Sequence, residues 1–304
     1  MILSDDTKAV IALTTRLGDR RRPSLSAARW HTLWTRLADE GITPATLFSD
    51  HRLFDDDEVI RSLLEDAAGV LLEADQLAQR GIWVRSVADD DYPEHLRHLE
   101  AQTPPVIFGV GTVELLHEGG IGVVGSRDVS PDGADVARRI AEHAATTGKP
   151  LVSGGARGVD QLAMNAAHQA GGSVIGVLAD SLQQRIRSTD TMRAIDAGAT
   201  CLISVQHPGA GFSPAAAMAR NKLIYALADV TVVVASDQDS GGTWAGATEA
   251  LRRGYGTVAV WRGEGEGPGN AAIEGLGAAP IRTITDLDSI EPTPADSQQL
   301  KLID

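Results

Sequence analysis

The chain has 304 residues, a formal charge of −14 and only 4% aromatic residues. That length allows one large or two modest domains with a substantial core; no apolar run approaches the ~18 residues of a membrane span, and the single cysteine, Cys201, excludes an intramolecular disulfide. Residues 1–100 hold 12 Lys/Arg against 19 Asp/Glu (net −7), residues 101–262 hold 13 against 14 (net −1) and residues 263–304 hold 2 against 8 (net −6), which argues against a broad basic face but leaves room for a local basic pocket in the middle of the chain.

Met1–Val10 carries Asp5 and Asp6 and lacks the apolar core of a signal peptide, so a cytoplasmic protein is expected. Residues 1–85 read as a small helical domain. Apolar residues at three- and four-residue spacing predict helices over Val10–Leu17, Ser26–Asp39 and Val59–Gln79, the second capped by Ser24 or Ser26 and ended by Gly41. Gly81–Val87 predicts a short strand. Asp89–Pro93 reads as a hinge, so residues 1–80 are expected to be separable. Pro104-Pro105 stiffens the entry to a further strand at Val106–Val110.

Residues 86–290 read as the main domain. Strands are predicted near 121–125, 150–153, 173–178, 200–205, 230–235 and 256–261, with helical patterns between them. The helix over 131–147 has Ser130 as N-cap, Pro131 at its first position and Gly148 just past its end. Val174–Leu178, Thr231–Ala235 and Thr257–Trp261 are continuous apolar runs, as expected for strands covered on both faces. The fold class is therefore α/β, a Rossmann-like and mostly parallel sheet with a small helical N-terminal domain. Gly263–Gly269 reads as a flexible loop, Ala271–Gly275 and Thr285–Ile290 as short helices around a last strand at Pro280–Thr283, and 291–304 as a polar tail.

Four loops following strands carry groups suited to anionic oxygens. The first holds Gly125, Ser126 and Arg127. The second runs Gly154-Gly155-Ala156-Arg157-Gly158. The third continues through His207-Pro208-Gly209 to Arg220, Asn221 and Lys222. The fourth is Ser240-Gly241-Gly242-Thr243, opening a helix. Glycines admit a ligand to the backbone, helix starts offer free N–H groups, and arginine forks suit phosphate. Loops from one parallel sheet share its carboxyl edge, so a phosphate-bearing ligand is expected there. Neither the dinucleotide nor the P-loop glycine fingerprint is present, and the histidines lack metal spacing. No cofactor and no metal are expected. No nucleophile–base pair is legible, so the chain reads as a binder before an enzyme, with Glu249 the single carboxylate considered for catalysis.

The ordered set Tyr92-Pro93, Pro104-Pro105-Val106-Ile107-Phe108-Gly109, Val124-Gly125-Ser126-Arg127, Ser130-Pro131, Val152–Asp160, Ala170-Gly171-Gly172, Phe212-Ser213, Arg220–Ile224 and Ser240-Gly241 resembles the DNA-processing protein A family (DprA/Smf) over about residues 75–290. The helical N-terminus resembles the sterile-alpha-motif-like or helix-hairpin-helix domain that often precedes that fold. The resemblance implies single-stranded DNA as ligand, a RecA-type recombinase as partner, a homodimer, no membrane association, and a role in DNA uptake and recombination. It implies phosphate contacts from Ser126, Arg127, Arg157, Arg220, Asn221 and Lys222. The fourth loop is also similar to that of the lysine-decarboxylase-like phosphoribohydrolases. That implies the alternative, a nucleotide sensor or phosphoribohydrolase-like enzyme in phage defence.

Overall fold

The structure, a computed structural model, describes residues 3–50 and 57–292. Among its described residues the N-terminal region holds four α-helices, α1 (Asp5–Thr14), α2 (Ala27–Asp39), α3 (Glu58–Glu65) and α4 (Ala67–Gln79), with a 3-10 helix at Pro44–Phe48 between the second and third. Ser4 caps α1 by accepting from Thr7 N, so the helix starts five residues earlier than its apolar pattern suggests. The helix predicted as one element over Val59–Gln79 is two. Asp66 sits between them at φ −89°, ψ 17°, which turns the chain so that Leu63 and Val70 both reach the core.

The sheet has nine strands: β1 (Trp83–Ser86), β2 (Val106–Gly111), β3 (Ile121–Val124), β4 (Leu151–Ser153), β5 (Val174–Val177), β6 (Thr200–Ser204), β7 (Val230–Val233), β8 (Thr257–Trp261) and β9 (Ala279–Ile281). Their order is β1-β2-β6-β5-β4-β3-β7-β8-β9. The β1–β2 and β2–β6 pairs are antiparallel and the others parallel. The boundary expected after residue 85 falls inside β1. The remaining helices are α5 (Glu94–Arg97), α6 (Pro131–Thr146), α7 (Val159–Gln169), α8 (Leu182–Arg185), α9 (Thr189–Asp196), α10 (Pro214–Leu227), α11 (Gly241–Arg253) and α12 (Asn270–Gly275).

Successive strand residues serve opposite layers, as the two-residue period of a strand requires. Val123, Leu151, Val174 and Val232 join Val136 and Ile140 of α6 and Ala163 of α7 in one core. Their neighbours Val124, Val152, Ile175 and Val233 join Leu223 and Ile224 of α10 and Ala247 of α11 in the other. This second core also takes in Ile11, Leu13, Leu33, Leu63 and Leu77 of the N-terminal helices.

The short helix expected near the C-terminus is a 3-10 helix over residues 284–289 with a Thr283/Asp286 capping box. The glycines of 263–269 are packing positions: a Cβ at Gly267 would lie 2.3 Å from Ser236 N, and one at Gly265 would lie 2.3 Å from Gly133 N. The polar tail lies outside the described residues from 293 onward.

β3 is the point at which chain order reverses. From it, β4, β5 and β6 step one way, and β7, β8 and β9 the other. The ends of β3 and β7 are paired in register, Val124 with Val233, so the loops leaving them diverge to opposite faces and leave a crevice.

Candidate functional site

That crevice is a cavity of about 390 Å³. The first and fourth loops, α10 and the start of α7 line it.

The first loop leaves β3 at Gly125, where a Cβ would be 2.6 Å from Val159 Cγ2, so glycine is what lets α7 begin against the strand end. Ser126 N donates to Ala235 O at 2.8 Å, which ties this loop to the one following β7. The guanidinium of Arg127 lies 5.7 Å from the centroid of the Phe212 ring. Phe212 itself is 54% exposed, at the entry to α10. Its exposure and its arginine partner were not among the sequence expectations. The signal available was one of only four phenylalanines, set in a glycine-containing loop just before a Ser-Pro helix start.

The second loop contributes differently from expectation. At Gly154 a Cβ would lie 1.3 Å from Arg220 Nη1, so the glycine is the space the guanidinium occupies. Gly155, at φ 66°, lies on a different cavity, beside Met164 and Leu178. Arg157 is exposed and pairs with Asp128 at 2.8 Å. Asp160, on the first turn of α7, is buried and lines the crevice. Burial pushes its carboxyl up to about 6, against the pull of the Arg220 guanidinium and of the N–H groups of Ala156, Gly154 and Gly125.

Ser213 caps α10 by accepting from Ala216 N, and Pro214 takes the first position, so Arg220, Asn221 and Lys222 fall where its second turn passes into the third. Arg220 is buried, with Nη2 3.9 Å from Asp160 Oδ2. Its Nε and Nη1 have no hydrogen-bond partner among the described residues, and neither does the buried Tyr225 hydroxyl one turn on. Burial and the neighbouring Arg127 weaken the hold of Arg220 on its proton, while Asp160 and Asp180 oppose that shift. Asn221 Nδ2 donates to Gly242 O at 3.1 Å and fixes the start of α11 against α10. Lys222 points elsewhere, with Nζ bonded to Gln102 Oε1 at 3.0 Å.

The fourth loop ends on Asp239, held at φ 56°, and Ser240, after which α11 opens with Gly241 at φ 82°. Ser240 makes no side-chain cap bond, and the first N–H groups of α11, which have no partner within the helix, lie beside the cavity that Ser240–Thr243 line. The loop is held from below by buried Asn270. Its Oδ1 accepts from Ser236 N at 2.9 Å, and its Nδ2 donates to Val234 O and Trp261 O, each at 2.8 Å. Glu249 is outside the cavity, on the third turn of α11, where Tyr255 OH donates to it at 3.3 Å.

The structure thus brings together Gly125, Ser126, Arg127, Arg220, Asn221, Ser240, Gly241, Gly242 and Thr243, with Gly154 beneath Arg220, and leaves Gly155, Arg157 and Lys222 off the cavity. A buried arginine with two donors and a tyrosine hydroxyl that lack partners among the described residues, and a helix start without a side-chain cap, converge on one space. Buried donors of this kind call for an acceptor-rich ligand.

An open, mostly parallel sheet with a donor-lined crevice at its switch point defines the class: a Rossmann-like α/β protein with a crevice at the carboxyl edge of its sheet. Residues 83–287 match the DNA recombination-mediator protein A family, about two thirds of the chain, and the protein belongs to that family. It is 29% identical over 185 residues to DNA processing protein DprA of Bacillus subtilis (strain 168), a match covering 60% of this chain and 61% of that protein, so the alignment spans less than two thirds of the relative. Its fold is that of DNA processing protein A from Streptococcus pneumoniae: TM-score 0.70 at 19% identity, over 97% of this chain and 100% of the other. DNA processing protein A from Helicobacter pylori, whose structure concerns the single-stranded DNA binding mode of that protein, matches with TM-score 0.56 at 23% identity, over 68% of this chain and 94% of that one.

Proposed function

We propose that this protein grips the backbone of single-stranded DNA in the crevice between the β3 and β7 loops and serves DNA uptake and recombination without being an enzyme. The observation that carries the reading is Arg220, buried with Nε and Nη1 unpaired at the cavity wall. A phosphate supplies oxygens for those donors, for Tyr225 OH and for the N–H groups at the start of α11. At the rim, Arg127 offers a second charge and exposed Phe212 a ring on which a base can stack. Phosphate grip plus stacking is tolerant of base sequence and selects single strands, whose bases are free.

Family membership supports the remaining parts of the proposal: a RecA-type recombinase as protein partner, a homodimer and a cytoplasmic location. The nucleotide-sensor or phosphoribohydrolase alternative gains nothing from the site, because Glu249 is bonded to Tyr255 outside the cavity. The test is fluorescence anisotropy with a labelled oligonucleotide at low salt, with nucleoside monophosphates as competitors. Binding that the competitors do not displace at similar concentration is expected. Folded protein that fails to bind the oligonucleotide, or that prefers the mononucleotide, overturns the reading.

A further inference from the structure

The loop between α1 and α2 carries Arg16, Arg20, Arg21 and Arg22 against one Asp19, a local net of 4 − 1 = +3 in a stretch of chain whose first hundred residues sum to −7. Arg22 is structural: its Nη1 donates to Ala12 O at 2.7 Å and Thr15 O at 3.3 Å, and its Nη2 donates to Leu63 O. The other three are exposed and make no ion pair among the described residues, unlike Arg29, Arg36, Arg97, Arg139, Arg157 and Arg193, each of which has one.

The loop is built rigidly and beside the crevice. Gly18 sits at φ 81° with its Cα against Gly69, where a Cβ would be 2.9 Å from the backbone. Gly18 N donates to Glu73 Oε2, and the other oxygen of Glu73 is 3.1 Å from His207 Nε2. His207 Nδ1 accepts from Gly209 N at 3.0 Å, so Nε2 carries the proton and donates to Glu73. One carboxylate therefore clamps the arginine loop to the loop that bears Phe212. Arg20 Nη2 completes the contact by donating to Gly209 O at 3.2 Å. Gly209 precedes Phe212 by three residues, at most about 10 Å of chain. That is about three nucleotide rises at ~3.4 Å.

We infer that Arg16, Arg20 and Arg21 form a second phosphate-binding station, which takes the single strand as it leaves the Arg127–Phe212 rim and crosses the 206–212 loop. The inference rests on the single-stranded DNA reading above. It assigns the helical N-terminal region a direct share of the ligand, where an acidic composition alone points away from one. Each exposed arginine that meets a phosphate adds attraction and one released counterion.

The test compares two oligonucleotides, one of about 4 nucleotides that fills the crevice and one of about 16 that reaches beyond it. The triple neutralisation Arg16→Gln, Arg20→Gln, Arg21→Gln should weaken the longer strand by about tenfold at low salt. It should also lower the slope of log K against log salt by about 2, or about 0.7 per phosphate, and leave the shorter strand unchanged. Arg16→Gln and Arg21→Gln alone, whose side chains make no bond among the described residues, should each give a third of the slope change. Equal weakening of both strands would mean that the loop only positions Phe212, and no change in either would mean that it does not touch DNA; both overturn the inference. Wild-type protein that binds neither strand instead overturns the reading on which it rests.

Discussion

The guanidinium of Arg220 fills the space in which a side chain at Gly154 would begin: an ideal Cβ there is 1.3 Å from Nη1 and 2.1 Å from Cζ. Gly154→Ala therefore cannot be absorbed without moving the arginine. The expected cost is about 1–3 kcal/mol of stability from overpacking. The displaced Arg220 should weaken single-stranded DNA binding by on the order of tenfold. Gly275→Ala, in a helix with open space around it, should change neither quantity. A Gly154→Ala protein with wild-type affinity by anisotropy would remove Arg220 from the phosphate site.

Asp160 couples that site to pH. Burial raises its carboxyl from the ordinary 3.8 to about 6. Because the folded value lies above the unfolded one, the folded chain holds more protons between about pH 4 and 6. The contribution of Asp160 to stability therefore declines as pH rises through that window, by about 3 kcal/mol at full extent, and is level above it. A phosphate beside Arg220 favours the neutral acid further, so binding takes up a proton and affinity should rise as pH falls from 7.5 to 5.5. Asp160→Asn should abolish that rise and bind at pH 7.5 at least as tightly as wild type. Identical pH profiles for the two proteins would sever Asp160 from the ligand.

Arg127 and Phe212 should separate charge from stacking. Arg127 has no carboxylate partner among the described residues, because Asp128 pairs with Arg157. Arg127→Ala should then leave Tm nearly unchanged and lower the magnitude of the slope of log K against log salt by about 0.7. Phe212→Ala should cost about 1–3 kcal/mol of binding with the slope intact, and lose its effect on an abasic oligonucleotide. A destabilised Arg127→Ala protein with an unchanged slope would make the arginine structural.

The strands that flank the crevice were legible as short buried-strand runs, Ile121–Val124 leading straight into a glycine turn at Gly125 and Val230–Val233 into the polar loop that reaches Gly241. Ser126, Arg127 and the 240–243 loop followed from that register, since the loops of a parallel sheet share an edge. What stayed hidden was direction. Arg220 and Lys222 are two apart on α10, about 200° around a helix of 3.6 residues per turn, so one enters the crevice and the other meets Gln102. Arg157 looked equivalent to Arg127, yet Asp128 holds it outside. Gly154 looked like a phosphate-approach glycine and is instead a vacancy for an arginine 66 residues later, a contact that only tertiary packing creates. The same holds for Asn270, which props the fourth loop from beyond the next strand.

The hinge at Asp89–Pro93 predicts a removable N-terminal segment, and the shared core predicts the opposite outcome. Ile11, Leu13 and Leu77 are fully buried in one cluster with Val84, Ile107 and Leu223 of the sheet layer. Thr7 Oγ1 is 2.7 Å from the buried Ser86 Oγ and donates to Asp89 Oδ1 at 2.5 Å, so α1 also satisfies polar groups at the hinge itself. Deleting residues 1–81 would uncover that face and strand the Ser86 hydroxyl, and the fragment should lose its cooperative melt and bind a hydrophobic dye. Thr7→Val is the gentler probe. It keeps the shape, leaves Ser86 and Asp89 short of a partner, and should cost about 1–3 kcal/mol. In a chain of this size that lowers Tm by several degrees. A fragment 82–304 that melts cooperatively, together with an unshifted Thr7→Val protein, would show that the helices are an appendage rather than half of the second core.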